Sequence, residues 1–256
     1  MPASSQFGYL LYQLTLRDLK ARYKQTLLGS LWALGRPLLE LAVYAVVFGA
    51  VLKAPTDGLP YNLFAYAGVV LWSVVGGALP RGTRSITAHA GLVARTPFPK
   101  LAIPLSATLA ALVDTALAAI VLVILMVHYA VPFTWAIWWI LPILFLLITL
   151  VTGLTLLASA LHVFYHDLGH AVELGVRVWQ LLTPVAYAAS AVPLAWQGLY
   201  RLNPMVALFD AARDCLLRGH APDPGTLIYP ATFAAAALGL GMVVFRATEP
   251  YFAESV

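Results

Sequence analysis

The sequence predicts an all-α integral membrane protein with six transmembrane helices. An interfacial amphipathic helix precedes them, and a re-entrant helix pair precedes the last. Three observations carry this. The chain is 61% hydrophobic and 10% charged, where a soluble domain is about 45–50% apolar and about 25% charged. Six runs approach the ~20 mostly apolar residues that a helical span requires: about 31–53, 61–82, 101–128, 135–161, 171–190 and 226–246. Two further segments, 6–28 and 193–220, are too polar to span and too apolar to lie free in water. No repeat, linker or low-complexity tract divides residues 1–256, so a single domain is expected.

In the first segment, Tyr12, Leu16, Leu19, Tyr23 and Leu27 recur at steps of three and four, which places them on one helical stripe. Gln13, Arg17, Lys20 and Lys24 fall on a polar face beside it. An apolar stripe on a charged helix is the pattern of a helix lying in a membrane interface. Gly29, Gly35 and Pro37 then allow a change of direction and a new helix start. The N-terminus lacks a charged region leading directly into an apolar core, so no cleavable signal is expected. The lone Cys215 excludes an intramolecular disulfide. With the N-terminus inside, eleven of the 15 Lys and Arg residues face the cytosol and four, Lys53, Arg201, Arg213 and Arg218, face outward. That bias puts both termini in the cytosol.

The second span carries Gly76, Gly77 and Pro80 near its end, where a kink is expected. Trp135, Trp138 and Trp139 open the fourth at headgroup level. Three aromatic sets share helix faces: Tyr44 with Phe48; Tyr61, Phe64 and Trp72, with Gly68 among them; and Trp179 with Tyr187. An aromatic stripe at helical spacing is usually packing. Asp114 lies mid-span with no obvious basic partner, where a charge costs roughly 2.5–3.5 kcal/mol on insertion scales. Glu40 has Arg36 one helical turn away.

The loop from Arg84 to Lys100 is the main cytosolic connection. Ser85 is placed to cap a short helix through Ala94, with Pro97 and Pro99 as stops. Such a loop is either a docking element or merely solvated. His162, His166 and His170 recur at helical spacing, but no thiolate joins them and no metal site is expected. Between the fifth and sixth spans, Asn203-Pro204 is a turn signal. Two short helices hinged there either dip into the membrane, where irregular backbone needs protein or water cover, or rest on its outer surface.

The ordered set Arg17-Asp18-Leu19-Lys20, Arg22-Tyr23, Gly29, Trp32, Pro37, Tyr44 and Phe48 resembles the permease subunits of ABC exporters for O-antigen, capsular polysaccharide and teichoic acid. The resemblance runs over essentially the whole chain and implies a type-2 ABC exporter permease fold. It implies that loop 84–100 carries a coupling helix seated in a cleft of an ATPase. Arg17, Lys20, Arg22, Tyr23, Arg84, His89, Arg95 and Phe98 are then the docking residues. The aromatic sets become channel lining, and segment 193–220 becomes outer gate helices with Asn203, Pro204, Phe209 and Arg213. One departure is Tyr165-His166-Asp167, where the family usually has Phe-Arg-Asp. Histidine need not be charged at neutral pH, so a role resting on that arginine does not carry over.

Energy must come from elsewhere. No G-x-x-x-x-G-K-[ST] phosphate loop exists, and none of Lys20, Lys24, Lys53 and Lys100 follows a glycine. The chain is therefore expected to bind no cofactor and to be no enzyme, with ATP and Mg held by a partner. The resemblance implies a homodimer with two ATPase copies in the bacterial plasma (inner) membrane. It would move a lipid-linked polysaccharide among membrane lipids, with no role for nucleic acid. The competing readings are an ABC permease for small lipophilic drugs, a membrane enzyme acting on lipid-linked substrates, and an ion-coupled carrier using Asp114.

Overall fold

The computed structural model describes residues 3–23, 32–95 and 98–255, without the side chains of residues 3–6, 22, 23 and 95. Gly29, Lys24, Leu27 and the side chains of Arg22, Tyr23 and Arg95, singled out above, lie outside the described residues. Every regular element among those described is helical. The order is α1 (Ala3–Tyr23), α2 (Trp32–Tyr44) continued by a π-helical turn Ala45–Val51, α3 (Tyr61–Thr83), α4 (Ser85–Ala88) and α5 (Ala90–Arg95). Then come α6 (Ala102–His128), α7 (Ile140–His162) led in by a 3₁₀ segment Trp135–Trp139, α8 (Leu168–Leu181) and α9 (Leu194–Tyr200). Last are α10 (Pro204–Arg213) with a π turn Asp214–Arg218, α11 (Pro224–Thr248) and α12 (Phe252–Ser255).

Among the described residues, five helical stretches are long and apolar enough to cross a membrane: Trp32–Val51, Tyr61–Thr83, Ala102–His128, Trp135–His162 and Pro224–Ser255. The expected run 171–190 is helical only as far as Leu181. Pro184 accounts for the stop, because it has no N–H to continue the ladder and it disfavours helix in the residue before it. From Leu182 to Val192 the backbone is turns, extended residues and one 3₁₀ turn.

The core is built around α3, most of whose residues are buried, whereas in Trp32–Val51 only Ala33 and Pro37 are. Val69, Val74, Val75 and Ala78 of α3 pack with Ala111 of α6, Leu147 and Val151 of α7, and Met205 and Phe209 of α10. Tyr66 donates to the Ala118 carbonyl (3.1 Å), and the Ser73 and Thr115 hydroxyls meet at 2.7 Å, pinning α3 to α6. Helices α7 and α11 meet backbone to backbone. A Cβ on Gly153 would lie 2.4 Å from Ala237 C, and one on Gly241 would lie 2.2 Å from Gly153 O. Small residues let transmembrane backbones approach this way.

Helix α1 buries a different stripe from the one its periodicity suggests. Leu14 is buried with Phe7, Leu10 and Leu11 against Ile86, Val93, Phe245 and Phe252. Tyr12 stays exposed, and with Leu16 and Leu19 it lines an apolar groove of about 490 Å³ against Leu109, Leu112, Val113 and Ala116 of α6. The helix thus has two apolar edges, one packed on the chain and one open.

Ser85 does not cap a helix; its hydroxyl donates back to the Gly82 carbonyl at 2.6 Å. The expected single helix to Ala94 is two, broken at His89. The pair hinged at Asn203-Pro204 forms as α9 and α10. Asn203 accepts from Met205 N at 3.1 Å and Pro204 sits at the first helical position, both strong start signals.

Candidate functional site

On the side assigned to the cytosol, α1 and the 84–100 loop are tied together. Arg17 donates to His89 Nε2, while His89 Nδ1 lies 2.7 Å from the Ser85 carbonyl. A carbonyl only accepts, so Nδ1 carries the proton and Nε2 is left as acceptor for the guanidinium. Ser106 donates to Asp18 at 3.0 Å, fixing α1 on α6. Arg84 pairs with Glu173 of α8 at 3.1 Å, and Glu173 also pairs with Arg177 at 3.2 Å. The far end of the loop is held by the C-terminus: Lys100 donates through its backbone N to Glu249 Oε1 (3.1 Å) and through Nζ to the Glu249 carbonyl (3.0 Å). Phe98 packs partly buried in the α1 and α12 cluster. Lys20 is exposed.

The three histidines do not form one helical face. His162 ends α7, buried, His166 lies in a turn and His170 is on α8. No group able to hold a metal ion is found among the described residues.

Within the spans, Tyr44 and Phe48 stand edge to face at 5.7 Å. The Tyr44 hydroxyl donates to Glu40 at 3.1 Å, and Gln180 of α8 donates to the same carboxylate oxygen. Glu40 is thus held by Tyr44 and Gln180, and no ion pair joins it to Arg36 among the described residues. Asp114 does have a basic partner: Arg81 of α3 lies at 3.6 Å. It was hidden because Arg81 reads as a loop-end charge, one helix away.

The expected channel set divides in two. Phe64 and Trp72 are buried, so they present no open face in this chain. Gly68 draws other elements against their side of α3, and Trp72 packs edge to face with Trp179 at 5.8 Å. Tyr44, Phe48, Tyr61, Trp179 and Tyr187 remain partly accessible. Tyr61 donates to the Ala186 carbonyl (3.0 Å), Tyr187 to Leu181 (2.8 Å), and Tyr200 to the Tyr187 hydroxyl (3.3 Å).

Segment 193–220 and the residues before it converge on Asn203 and Arg213. Asn203 Oδ1 accepts from Trp179 Nε1 at 3.0 Å as well as from Met205 N; its Nδ2 donates to Leu182 O and Thr183 Oγ1, both at 3.1 Å. One side chain thereby locks α8, the irregular segment after it and α10. Phe209 is fully buried against Trp72, so it anchors α10 and lines nothing. Arg213 is also buried, donates to the Val185 carbonyl at 2.8 Å and lies 3.7 Å over the Phe64 ring. Burial lowers its pKa to about 10, which leaves it a cation at neutral pH. Burial likewise pushes the Asp210 carboxyl up to about 6, against the pull of the nearby Arg213 charge. Sequence reasoning missed the Glu40–Gln180 link, the Arg81–Asp114 pair and the closure of Arg84 by Glu173. Each joins residues far apart in the chain, and no local spacing signals it.

Such a molecule, with long apolar helices, a tied 84–100 loop and a polar-aromatic 193–220 segment, is of the class of multi-pass membrane proteins. The match to the ABC-2 type transporter family covers residues 9–217. The chain belongs to that family. It is similar to the O-antigen export system permease protein RfbA of Myxococcus xanthus, 27% identical over 98% of this chain and 96% of that protein. It is also similar to the protein of that name in Klebsiella pneumoniae, 29% identical over 83% of each chain. The polysialic acid transport protein KpsM of Escherichia coli is 22% identical over 92% of each.

Proposed function

We propose that this chain is the membrane subunit of an ATP-driven exporter of lipid-linked polysaccharide across the bacterial plasma membrane. The observation that carries the reading is the nearly full-length similarity to an O-antigen export permease, 98% of one chain against 96% of the other. In this reading α8 and the residues to about 190 make the sixth crossing. Helix α1 lies in the cytosolic interface, both termini are cytosolic, and α9 and α10 form a re-entrant outer gate. Two copies pair across the apolar faces of α2 and α8, supported by the exposure of Leu39, Val43, Val46, Leu174 and Leu181. Tyr44, Phe48, Trp179 and Tyr187 then border the path.

ATP and Mg bind on two copies of a partner ATPase docked at α1 and the 84–100 loop. The ties from Arg17 to His89 and from Lys100 to Glu249 support that site, because they hold both ends of the loop on helices of the body. Deleting the gene for this chain in its own host tests the reading. Surface polysaccharide should disappear, lipid-linked chains should accumulate inside, and the gene returned in trans should restore display. Normal surface polysaccharide in the deletion strain would refute the proposal.

A further inference from the structure

Arg213 is 1% exposed, yet among the described residues its Nε and Nη1 have no hydrogen-bond partner. Only Nη2 is engaged, by the Val185 carbonyl, and the guanidinium plane rests on Phe64. The neighbouring acids do not pair with it. Asp57 and Asp214 are taken by Arg218 at 3.6 and 2.5 Å, and Asp210 acts on it only through space. A guanidinium offers five N–H donors, and burying a charge with donors unmet is unfavourable. The fold nevertheless makes room for it. At Gly68 a Cβ would lie 2.7 Å from Arg213 Nη2 and 2.5 Å from Val185 O, so only glycine admits the cation here. The site is therefore a cation held in place by one carbonyl and one ring face, with spare donors.

We infer that Arg213 is a latch of the outer mouth, one that exchanges the Val185 carbonyl for oxygen acceptors of the exported chain when the mouth opens. Shut, it holds segment 182–188 against α3 by the Val185 bond and the Phe64 stack. Opened, its planar fork meets hydroxyl or acidic oxygens, which it binds in pairs more strongly than it binds a single neutral carbonyl. The unmet donors make the shut state less favourable than its packing alone would make it. The release of Arg213 by substrate is thus part of opening. The inference rests on the exporter reading above.

Arg213→Met keeps the length and the apolar stem and removes the charge. The full chain is tested with its ATPase in cells that display the polysaccharide. Cys215, the only cysteine, is buried two residues beyond Arg213 and reports opening through its reaction with a membrane-impermeant maleimide. In wild type, labelling should quicken several-fold during transport. In R213M the thermal midpoint should equal or exceed wild type, labelling should not quicken, and surface polysaccharide should fall at least ten-fold. Phe64→Leu differs from R213M in keeping the buried charge with its unmet donors while removing the ring face that offsets them, so it should speed Cys215 labelling without turnover. Wild-type export by R213M would overturn the latch. So would unchanged labelling in F64L, or a loss of export that merely follows a lower midpoint and less folded protein. A wild-type chain that displays no polysaccharide refutes the exporter reading itself.

Discussion

Replacing Asn203 by alanine should be among the most damaging single changes outside the spans. The side chain makes four hydrogen bonds, two accepted and two donated. Loss of the N-cap bond to Met205 costs about 1 kcal/mol. The indole N–H of Trp179, half-buried, loses its acceptor, which costs about 1–3 kcal/mol if water does not replace it. The Leu182 carbonyl is exposed and the buried Thr183 hydroxyl keeps its own bond to the Trp179 carbonyl, so both add little. The expected sum is about 2–4 kcal/mol. Asn203→Asp keeps both acceptor bonds and places a negative charge at a helix N-terminus, so it should lose less than half as much. Trp179→Phe completes a double-mutant cycle with N203A, with a coupling of about 1 kcal/mol or more expected. Thermal unfolding of the purified chain in one detergent, ranked across wild type, the three single variants and the N203A/W179F double variant, is the assay. Equal losses in N203A and N203D, or a coupling near zero, would show that Asn203 is a turn residue and not the tie described here.

Gly153→Val should separate α7 from α11 by about an ångström and cost about 1–3 kcal/mol or more by overpacking; a wild-type melting temperature would contradict the backbone contact. Asp210 gives a pH signature. Its carboxyl is raised to about 6 from an ordinary 3.8, so its contribution is complete below pH 3.8 and is lost as pH rises through about 6, at most about 3 kcal/mol. Melting of wild type relative to Asp210→Asn should therefore fall between pH 4 and 6.5, and parallel curves would refute the assignment. For the pair at 3.6 Å between Arg81 and Asp114, Arg81→Met alone should lower the yield of folded protein more than the double variant with Asp114→Asn. Arg81 is partly exposed, so the coupling should be only about 1 kcal/mol, and quantitative membrane-fraction yields decide it.

Periodicity along one helix was legible, and contacts between helices were not. The five long apolar runs appear close to their expected bounds because apolar length alone forces helix in a membrane. The hinge at Asn203-Pro204 was legible for a similar reason, since cap and proline chemistry is local. The run at 171–190 misled because hydropathy does not register that Pro184 ends the ladder. The aromatic face of α3 misled because nothing in the spacing of Phe64, Gly68 and Trp72 distinguishes a face open to a path from one filled by α8 and α10. The stripe on α1 was drawn through Tyr12 when the buried edge runs through Leu14. A helix with two apolar edges fits either stripe, and only its neighbours choose.

The contact of Gly153 with Ala237 and Gly241 has a mechanical consequence. Shear between packed helices proceeds by side chains sliding and re-seating in alternative rotamers. Where backbone meets backbone no such layer exists, and sliding would drive carbonyls through Cα atoms. Helices α7 and α11 therefore behave as one plank with no internal slip plane. Relative movement falls to the elements seated on side chains: α2, barely covered, and the α8–α10 region held by Asn203 and Arg213. Spin labels on α7 and α11 should keep one separation throughout turnover while labels on α2 and α10 do not, and a changing α7–α11 distance would show that the plank bends.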